Sequence, residues 1–468
     1  MSVPGTSAVQ AEPRPHRAAI AWLCFLGPFF FASYGFANWM ASRRADVGSI
    51  IFDWESRIPF LAWTIVPYWS IDLFYGISLL VCTTRSELFT HAMRLLAAQV
   101  ISVACFLAFP LSFTFARPAA DGLFGWMFDV LAGFDKPFNQ APSLHIALLV
   151  ILWVLYARHL SGAARWVLHF WFALIGVSVL TTYQHHFIDL PTGLWVGLLC
   201  LWLFPHEDSV LWGAAVADDP QRIRLATGYA LAAATLAALA VWAGGWALWL
   251  LWVSGSLALV AATYAFIGEA GFQKEEGHLE VREARTQRVV GRNPYSSPHP
   301  GRLSFGAYWL LAPYLAGAWI NSRWWTRNCA DASVVVPGLM IGRLPTSRER
   351  RVSGVRAIVD VTAELPCDPQ GVDYTSVPML DLVVPSPDRL ERAAHAIDSA
   401  LRSRPALVCC ALGFSRSAMA VAAWLLSSGR AKDVAEAIAM VRRSRPAIVL
   451  GDAHVRALRE FAARPTHG

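Results

Sequence analysis

Two groups of residues in this sequence have the types and spacing of phosphoester chemistry. In the first, Cys410 and Arg416 bracket Ala411, Leu412, Gly413, Phe414 and Ser415, giving C-x-x-G-x-x-R-S with Ser417 as the last residue. The apolar run ALVCC reads as a strand leading into this stretch, and a helix is expected after it. A strand-to-helix turn points the N–H groups of residues 411–415 inward at the positive end of the helix, a nest for phosphate oxygens. Gly413 lets the backbone bend closely around the anion. Arg416 can grip two phosphate oxygens in a bidentate fork. The same field favours Cys410 as a thiolate that attacks phosphorus. Ser417 stands where it could help that thiolate leave from the intermediate.

The second group lies in the apolar half of the chain. One stretch, RPAADG followed by FDKPFNQAPSLH, contains Arg117, Lys136, Ser143 and His145. Another, TTYQHHFIDLPTG, contains His185 and Asp189 at i and i+4. At a helix start that spacing puts both on one face, where a carboxylate fixes an imidazole tautomer. Ionisable groups at membrane depth are costly, which marks these as functional candidates. His186 reads more simply as a residue of the membrane interface.

The elements that must carry these groups follow from composition. Of 468 residues, 56% are hydrophobic and 15% charged, and the mean hydropathy is +0.42. Soluble domains carry roughly 25% charged residues, so a water-soluble globule of this length is excluded, as are a disordered chain, collagen and a secreted disulfide scaffold. The formal charge of +6 comes with arginines beside apolar runs, which suits membrane topology rather than nucleic-acid binding. Spans are expected at 18–41, 59–82, 93–113, 143–158, 166–183, 187–204, 224–243, 246–268 and 303–321. The first reads as an uncleaved span, and Gly244–Gly245 as a hairpin break. Cys24, Cys82, Cys105 and Cys200 lie in apolar runs as small core residues. No cysteine pair has zinc-ligand spacing, so neither metal nor cofactor is expected. There is no internal repeat. After Trp325 charged residues and Pro become frequent. AIVDVTAE, DYTSVPML and ALVCC read as strands, and 388–403, 417–428, 432–444 and the segment after Asp452 as helices. Four regions result: 1–58, with the tail and first span; 59–205, a membrane core; 206–329, further spans and a basic linker; and 330–468, a soluble α/β domain.

With these motifs in view, residues 333–462 resemble the dual-specificity branch of the cysteine-dependent protein tyrosine phosphatases, including the opening V-x-P-G-L-x-I-G from Val335 to Gly342. The resemblance implies that Cys410 is the nucleophile and that an Asp about thirty residues upstream is the general acid. Asp381 stands 29 positions before Cys410, after a strand. Asp388 is the alternative, better suited to the start of the next helix. Cys409 replaces the family's usual His, and a role as resolving thiol is weighed for it. Residues 59–205 resemble the type 2 phosphatidic acid phosphatase (PAP2) superfamily, especially an inositolphosphotransferase-like branch with a PSLH motif. That resemblance implies His185 as a nucleophile oriented by Asp189, His145 as the acid, and Arg117 and Ser143 as phosphate binders. Pro110 and Val179 stand where the family has Lys and Arg, so transfer of a headgroup stays open beside hydrolysis.

The whole chain is similar to a bacterial fusion family that joins a PAP2 membrane domain to a dual-specificity phosphatase. This implies a multi-pass all-α helical bundle followed by an α/β phosphatase domain, acting on phospholipid or lipid-phosphate headgroups in the inner membrane, with no nucleic-acid partner. The alternative is a membrane-anchored protein tyrosine or dual-specificity phosphatase. Counting nine spans puts both sites on one face. Arg14, Arg17, Arg85, Arg158, Arg165, Arg222 and the basic 269–302 connection fall opposite, so the sites are expected on the periplasmic face.

Overall fold

Apolar runs can satisfy their own backbone polar groups as helices, and among the described residues the named elements of the N-terminal half are all helices. The computed structural model describes residues 13–205, 218–279, 300–369, 371–403 and 405–464. It divides into two units, 1–210 and 211–468.

In the first unit, α1 spans His16–Ser42, α2 Ile65–Val81, α3 Arg85–Ala108, α4 Gly122–Phe134, α5 Leu144–His159, α6 Gly162–Thr181 and α7 Asp189–Leu203. The segments His16–Ser42, Ala62–Val81, Arg85–Ala108 and Gly162–Thr181 are long and apolar enough to cross a membrane. Expected spans 143–158 and 187–204 become α5 and α7, of 16 and 15 residues, shorter than the ~20 a bilayer requires. Helix α4 forms in the 114–142 connection, where none was expected. Phe31, Trp166 and Phe170 lie exposed, with 59%, 76% and 70% of their surface free, so apolar side chains cover the outside of these helices. Helices α5 and α7 cross closely. A Cβ on Gly193 would lie 2.5 Å from the Ser143 carbonyl oxygen, and one on Gly197 2.7 Å from that of Ala147.

The second unit begins with α8, Pro220–Ala243, and α9, Leu250–Ala262. The expected break falls between them, at Gly244 and Gly245 with φ +60° and +52°. Pro220–Ala243 and Gly245–Phe272 are again long and apolar. The ninth expected span, 303–321, is not one continuous helix. It forms two short helices, α10 at Phe305–Leu310 and α11 at Ala312–Trp325. Pro313 in the first turn of α11 has no N–H to continue the helix, so the chain restarts there.

The remaining elements are β1 Gly277–Leu279, β2 Ala332–Val336, β3 Leu339–Arg343, α12 Ser347–Ser353, β4 Ala357–Thr362, β5 Asp373–Met379, α13 Pro387–Ala400, β6 Ala406–Cys410, α14 Arg416–Ser427, α15 Val434–Ser444 and α16 Asp452–Ala462. The strands and helices expected after residue 356 therefore form. The sheet is mixed, in the order β1-β5-β4-β6-β3-β2, with parallel pairing through its centre and antiparallel strands at both edges. Val359, Val408 and Cys410 face a core with Leu390 and Ile397 of α13, Met419 and Trp424 of α14, Val441 of α15 and Leu458 of α16. Ile358, Tyr374, Leu407 and Cys409 face the other side, with Leu344, Val355 and Leu365 and with Ala318 of α11 packed against them.

Edge strand β1 comes from the 269–302 connection, outside the region expected to form the α/β domain. It pairs with β5 from Gly277↔Ser376 to Leu279↔Tyr374. The described start of that connection is therefore part of the α/β sheet. Arg282, Arg285, Arg288 and Arg292 of that connection lie outside the described residues. Lys274, just before β1, is buried and donates to Asp360 Oδ2 (2.7 Å), the Thr362 carbonyl and Oγ1 (both 2.8 Å) and the Leu365 carbonyl (2.7 Å). Removing one member of a buried, hydrogen-bonded pair costs more than replacing both. Lys274→Met is expected to lose about 3–5 kcal/mol of stability, read from the unfolding transition of the full chain. Adding Asp360→Asn should recover much of the loss, and an unchanged transition in the single variant would show that the network is not stabilising.

Candidate active site

Strand β6 delivers Cys410 and helix α14 begins at Arg416, so residues 411–415 turn between a buried strand end and a helix N-terminus. Gly413 takes φ +75°, and a Cβ there would lie 2.5 Å from the carbonyl carbon of Gly342. Only glycine fits both the conformation and the approach. Gly342 is itself pressed against the Asp331 carbonyl, where a Cβ would stand at 2.3 Å, which explains the glycine that ends V-x-P-G-L-x-I-G. The Gly413 N–H donates to Cys410 Sγ at 3.1 Å, and Ser417 Oγ lies 3.3 Å from the same sulfur.

Arg445 holds the outer face of this loop. Its Nε donates to the Gly413 carbonyl (2.8 Å) and Nη2 to that of Leu412 (3.3 Å), while Nη1 ties to Ala330 (2.9 Å). With those carbonyls turned outward, the loop amides turn inward. Among the described residues, the N–H groups of Leu412, Phe414, Ser415 and Arg416 donate to no protein acceptor, as expected at a helix start. On the flank, Ser415 Oγ and His454 Nε2 are 3.1 Å apart, and His454 Nδ1 accepts from the Gly451 N–H. Burial lowers the His454 pKa, which fits that neutral ring. Neither Arg445 nor His454 was singled out from the sequence. Both come from helices distant in the chain, and no spacing links them to Cys410.

Arg416 is buried and its fork is already engaged. Nη1 and Nη2 each donate to a Glu364 carboxylate oxygen at 2.7 Å, Nη1 also to the Met379 carbonyl (2.9 Å), and Nη2 reaches Asp381 Oδ1 at 2.9 Å. The fork expected to grip phosphate is therefore confined to one edge of the guanidinium. Glu364 occupies the Nη1–Nη2 side, and the edge left toward an anion is Nε–H with the Nη2–H that Asp381 shares. Glu364 was missed because it stands 46 positions from Cys410, at the end of AIVDVTAE, in a segment read only as a strand. Burial pushes the Glu364 carboxyl up, but Arg416 overrides this and holds it below the usual carboxylate range. Burial raises Asp381 above that range, with Glu364 adding to the rise and Arg416 opposing it. The two carboxylates beside one guanidinium thus differ, one kept ionised and the other disposed to hold a proton.

Asp381, not Asp388, meets Arg416. Asp388 lies in the first turn of α13 and pairs with Arg464 at the surface. Cys409 is corrected as a resolving thiol. Successive strand residues face opposite sides, so Cys409 packs with Ile358 and Tyr374 while Cys410 faces the α14 side. Burial also drives the Cys409 thiol well above its ordinary pKa, which makes it inert.

In the first unit, a close α5–α7 crossing brings three expected residues together. Asp189 Oδ2 lies 3.1 Å from His185 Nδ1, and Ser143 Oγ 3.2 Å from His185 Nε2. The Ser143 N–H also donates to the Asp189 carbonyl at 3.2 Å. With Nδ1–H directed to the carboxylate, Nε2 carries the lone pair. Two expected partners are not bonded into this cluster. Arg117 lies with its guanidinium 4.6 Å over the Phe128 ring, and the half-buried His145 ring stacks on Tyr68 at 4.2 Å. His186 is buried, with Nδ1 2.9 Å from Glu55 Oε2 and Nε2 3.2 Å from Thr114 Oγ1. Glu55, missed in the sequence, also accepts from the N–H groups of Phe52 and Phe187. Among the described residues no group of three or more His, Cys, Asp or Glu could hold a metal ion.

Residues 344–464 match the catalytic domain of dual specificity phosphatases. No curated protein matches the chain. Among solved structures, the chain is similar to Tk-PTP in its active form, at 27% identity over 29% of this chain and 99% of that one, with a TM-score of 0.27. It is also similar to a mouse putative dual specificity phosphatase complexed with zinc tungstate (27% identity, 28% and 86% covered, TM-score 0.26). Human DUSP28 follows with 25% identity, 28% and 93% covered, and a TM-score of 0.26. Residues 344–464 are thus a dual-specificity-phosphatase-like catalytic domain.

Proposed function

We propose that the C-terminal domain hydrolyses phosphomonoesters carried on membrane-lipid headgroups through a cysteinyl-phosphate intermediate. The convergence of Cys410, the loop amides, Arg416 and Asp381 on one pocket carries the reading. A phosphate dianion takes the amides and the Nε–Nη2 edge of Arg416, and the Asp381 carboxyl, in its protonated form, leaves that edge. Cys410, as thiolate, attacks phosphorus, and the bond to the headgroup oxygen breaks as Asp381 protonates that oxygen. Water then attacks the cysteinyl-phosphate, giving up a proton to Asp381, and Ser417 donates a hydrogen bond to the departing sulfur. Inorganic phosphate leaves. The lipid assignment is supported by the apolar hairpin α8–α9 in the same unit.

For the first unit we propose a second phosphoester centre of the PAP2 type, in which His185 Nε2 attacks phosphorus and Asp189 holds the tautomer. Arg117 and His145 would have to move to take the phosphate-binding and acid roles. Both units would lie in the inner membrane of a bacterium. The pairing of β1 with β5 favours the phosphatase domain on the side of the basic 269–302 connection, the cytoplasm by the positive-inside rule. That observation also favours a second reading, a membrane-anchored phosphatase acting on phosphoproteins.

Detergent-solubilised full chain, offered phosphatidic acid, phosphatidylglycerophosphate and phosphotyrosyl peptides, is expected to release phosphate from a lipid. Cys410→Ser should abolish the part of that release that the C-terminal domain catalyses, while binding persists. His185→Ala should remove only turnover that survives Cys410→Ser. Release from peptides alone would replace the lipid reading with the signalling one. Because Asp381 is the proton donor and its pKa is raised, kcat on an alkyl phosphate should be high below that pKa and fall as pH rises through it. Asp381→Asn should lower kcat and abolish this alkaline fall, and a profile that keeps the fall would sink the acid assignment. Reporter fusions after residues 290 and 340 should report the same side of the membrane. Opposite sides would restore the ninth span.

A further inference from the structure

The phosphatase-like segment is touched from outside its own boundaries. Ser322 of α11 donates to the Ala411 carbonyl of the phosphate loop. Lys274 fixes the segment Thr362–Leu365 that presents Glu364. Tyr264, at the end of the apolar hairpin, donates its hydroxyl to the Asp381 carbonyl at 3.1 Å. The third contact has the furthest consequence.

Asp381 sits in a turn whose next residue, Leu382, takes φ +58°. That left-handed region is unfavourable for a leucine and persists only where surrounding contacts impose it. The Leu382 side chain is 63% exposed, so its own packing does not hold the turn. The carboxylate is held by Arg416 Nη2, a contact that ends on the group that must leave to meet a substrate. The bond from Tyr264 ends on the main chain, not on the carboxylate. Tyr264 is itself immobilised, being 1% exposed and packed at 5.7 Å against the Tyr229 ring of α8. It lies in a π-helical turn, Thr263–Ile267, a distortion frequent at functional positions.

We propose that Tyr264 is a positioning residue for the general-acid turn, by which the apolar hairpin aims Asp381 at the leaving oxygen once Arg416 has turned to phosphate. The kinetic part rests on the acid role given to Asp381 above, whereas the structural part does not.

The test uses the full chain in detergent. Tyr264→Phe keeps the ring and removes the hydroxyl. Backbone hydrogen exchange over residues 380–386 should quicken about fivefold, the scale of one hydrogen bond, while residues 406–410 stay unchanged. For an alkyl phosphate, kcat should fall about fivefold at constant KM. An aryl phosphate, whose good leaving group needs little protonation, should keep nearly its full rate. Leu382→Asn, a residue that accepts the left-handed region, should restore much of the loss when added to Tyr264→Phe. Unchanged exchange over 380–386 would overturn the proposal, as would equal loss on both substrates. If Asp381→Asn leaves the alkyl phosphate rate intact, the acid role falls by itself, and the exchange measurement alone decides the contact made by Tyr264.

Discussion

The charge of Arg416 is the constraint on which the phosphatase-like domain depends. A guanidinium this deeply buried must be paired and fully hydrogen-bonded, because an isolated buried charge is prohibitive. Glu364 supplies a parallel two-bond fork, which fixes the plane of the group and leaves one edge toward the pocket. The loop that presents Glu364 is in turn fixed by a second buried cation, Lys274, through Asp360 and the carbonyls of Thr362 and Leu365. Tyr374 closes the same network with a 2.6 Å bond to Asp360. Two buried cations, one catalytic in type and one structural, therefore share a single polar layer at the top of the sheet. Half-satisfied layers of this kind are worse than apolar packing, and this one is closely satisfied.

The phosphate loop shows the complementary device. Its carbonyls are drawn outward by Arg445 and Ser322, so its amides are left facing inward. Fixed dipoles of this sort need no reorganisation when an anion arrives. Glycine is obligatory at the one point where loop and β3 backbones touch. The site is thus built mainly from main chain, with Cys410, Arg416 and Asp381 as the reactive additions.

The helical unit meets the same requirement with different parts. Small residues Gly193 and Gly197 let α5 and α7 approach until the Ser143 main chain bonds that of Asp189, and the His185 ring is enclosed between them. Asp189 also accepts from the N–H of His186, which sets the turn that carries both histidines. His186 is then bound to Glu55 and stacked on Phe113 at 4.5 Å, a buried support for its neighbour. The two adjacent histidines thereby receive separate carboxylates and separate surroundings.

Local chemistry was legible in the sequence wherever neighbours in the chain are neighbours in space. The strand ALVCC, the loop from Ala411 to Ser415, the i, i+4 pair His185–Asp189 and the hairpin break at Gly244–Gly245 are all of that kind, since backbone geometry ties spacing directly to position. So are the apolar lengths of α1, α2, α3, α6 and α8. Partners from distant segments were not legible. Glu364 for Arg416, Arg445 for the loop carbonyls, Glu55 for His186 and Tyr264 for the Asp381 turn meet only after folding, and nothing in their spacing records it. The interruption of the stretch 303–321 was hidden for a related reason. Its apolar content matched a membrane helix, but Pro313 divides it, and the β1 segment before it is claimed by the sheet. Composition alone determined that this chain makes long apolar helices and one α/β domain. Tertiary packing decided which charges are paired and which carboxylate is left able to carry a proton, because burial and pairing energies depend on residues that the chain order keeps apart.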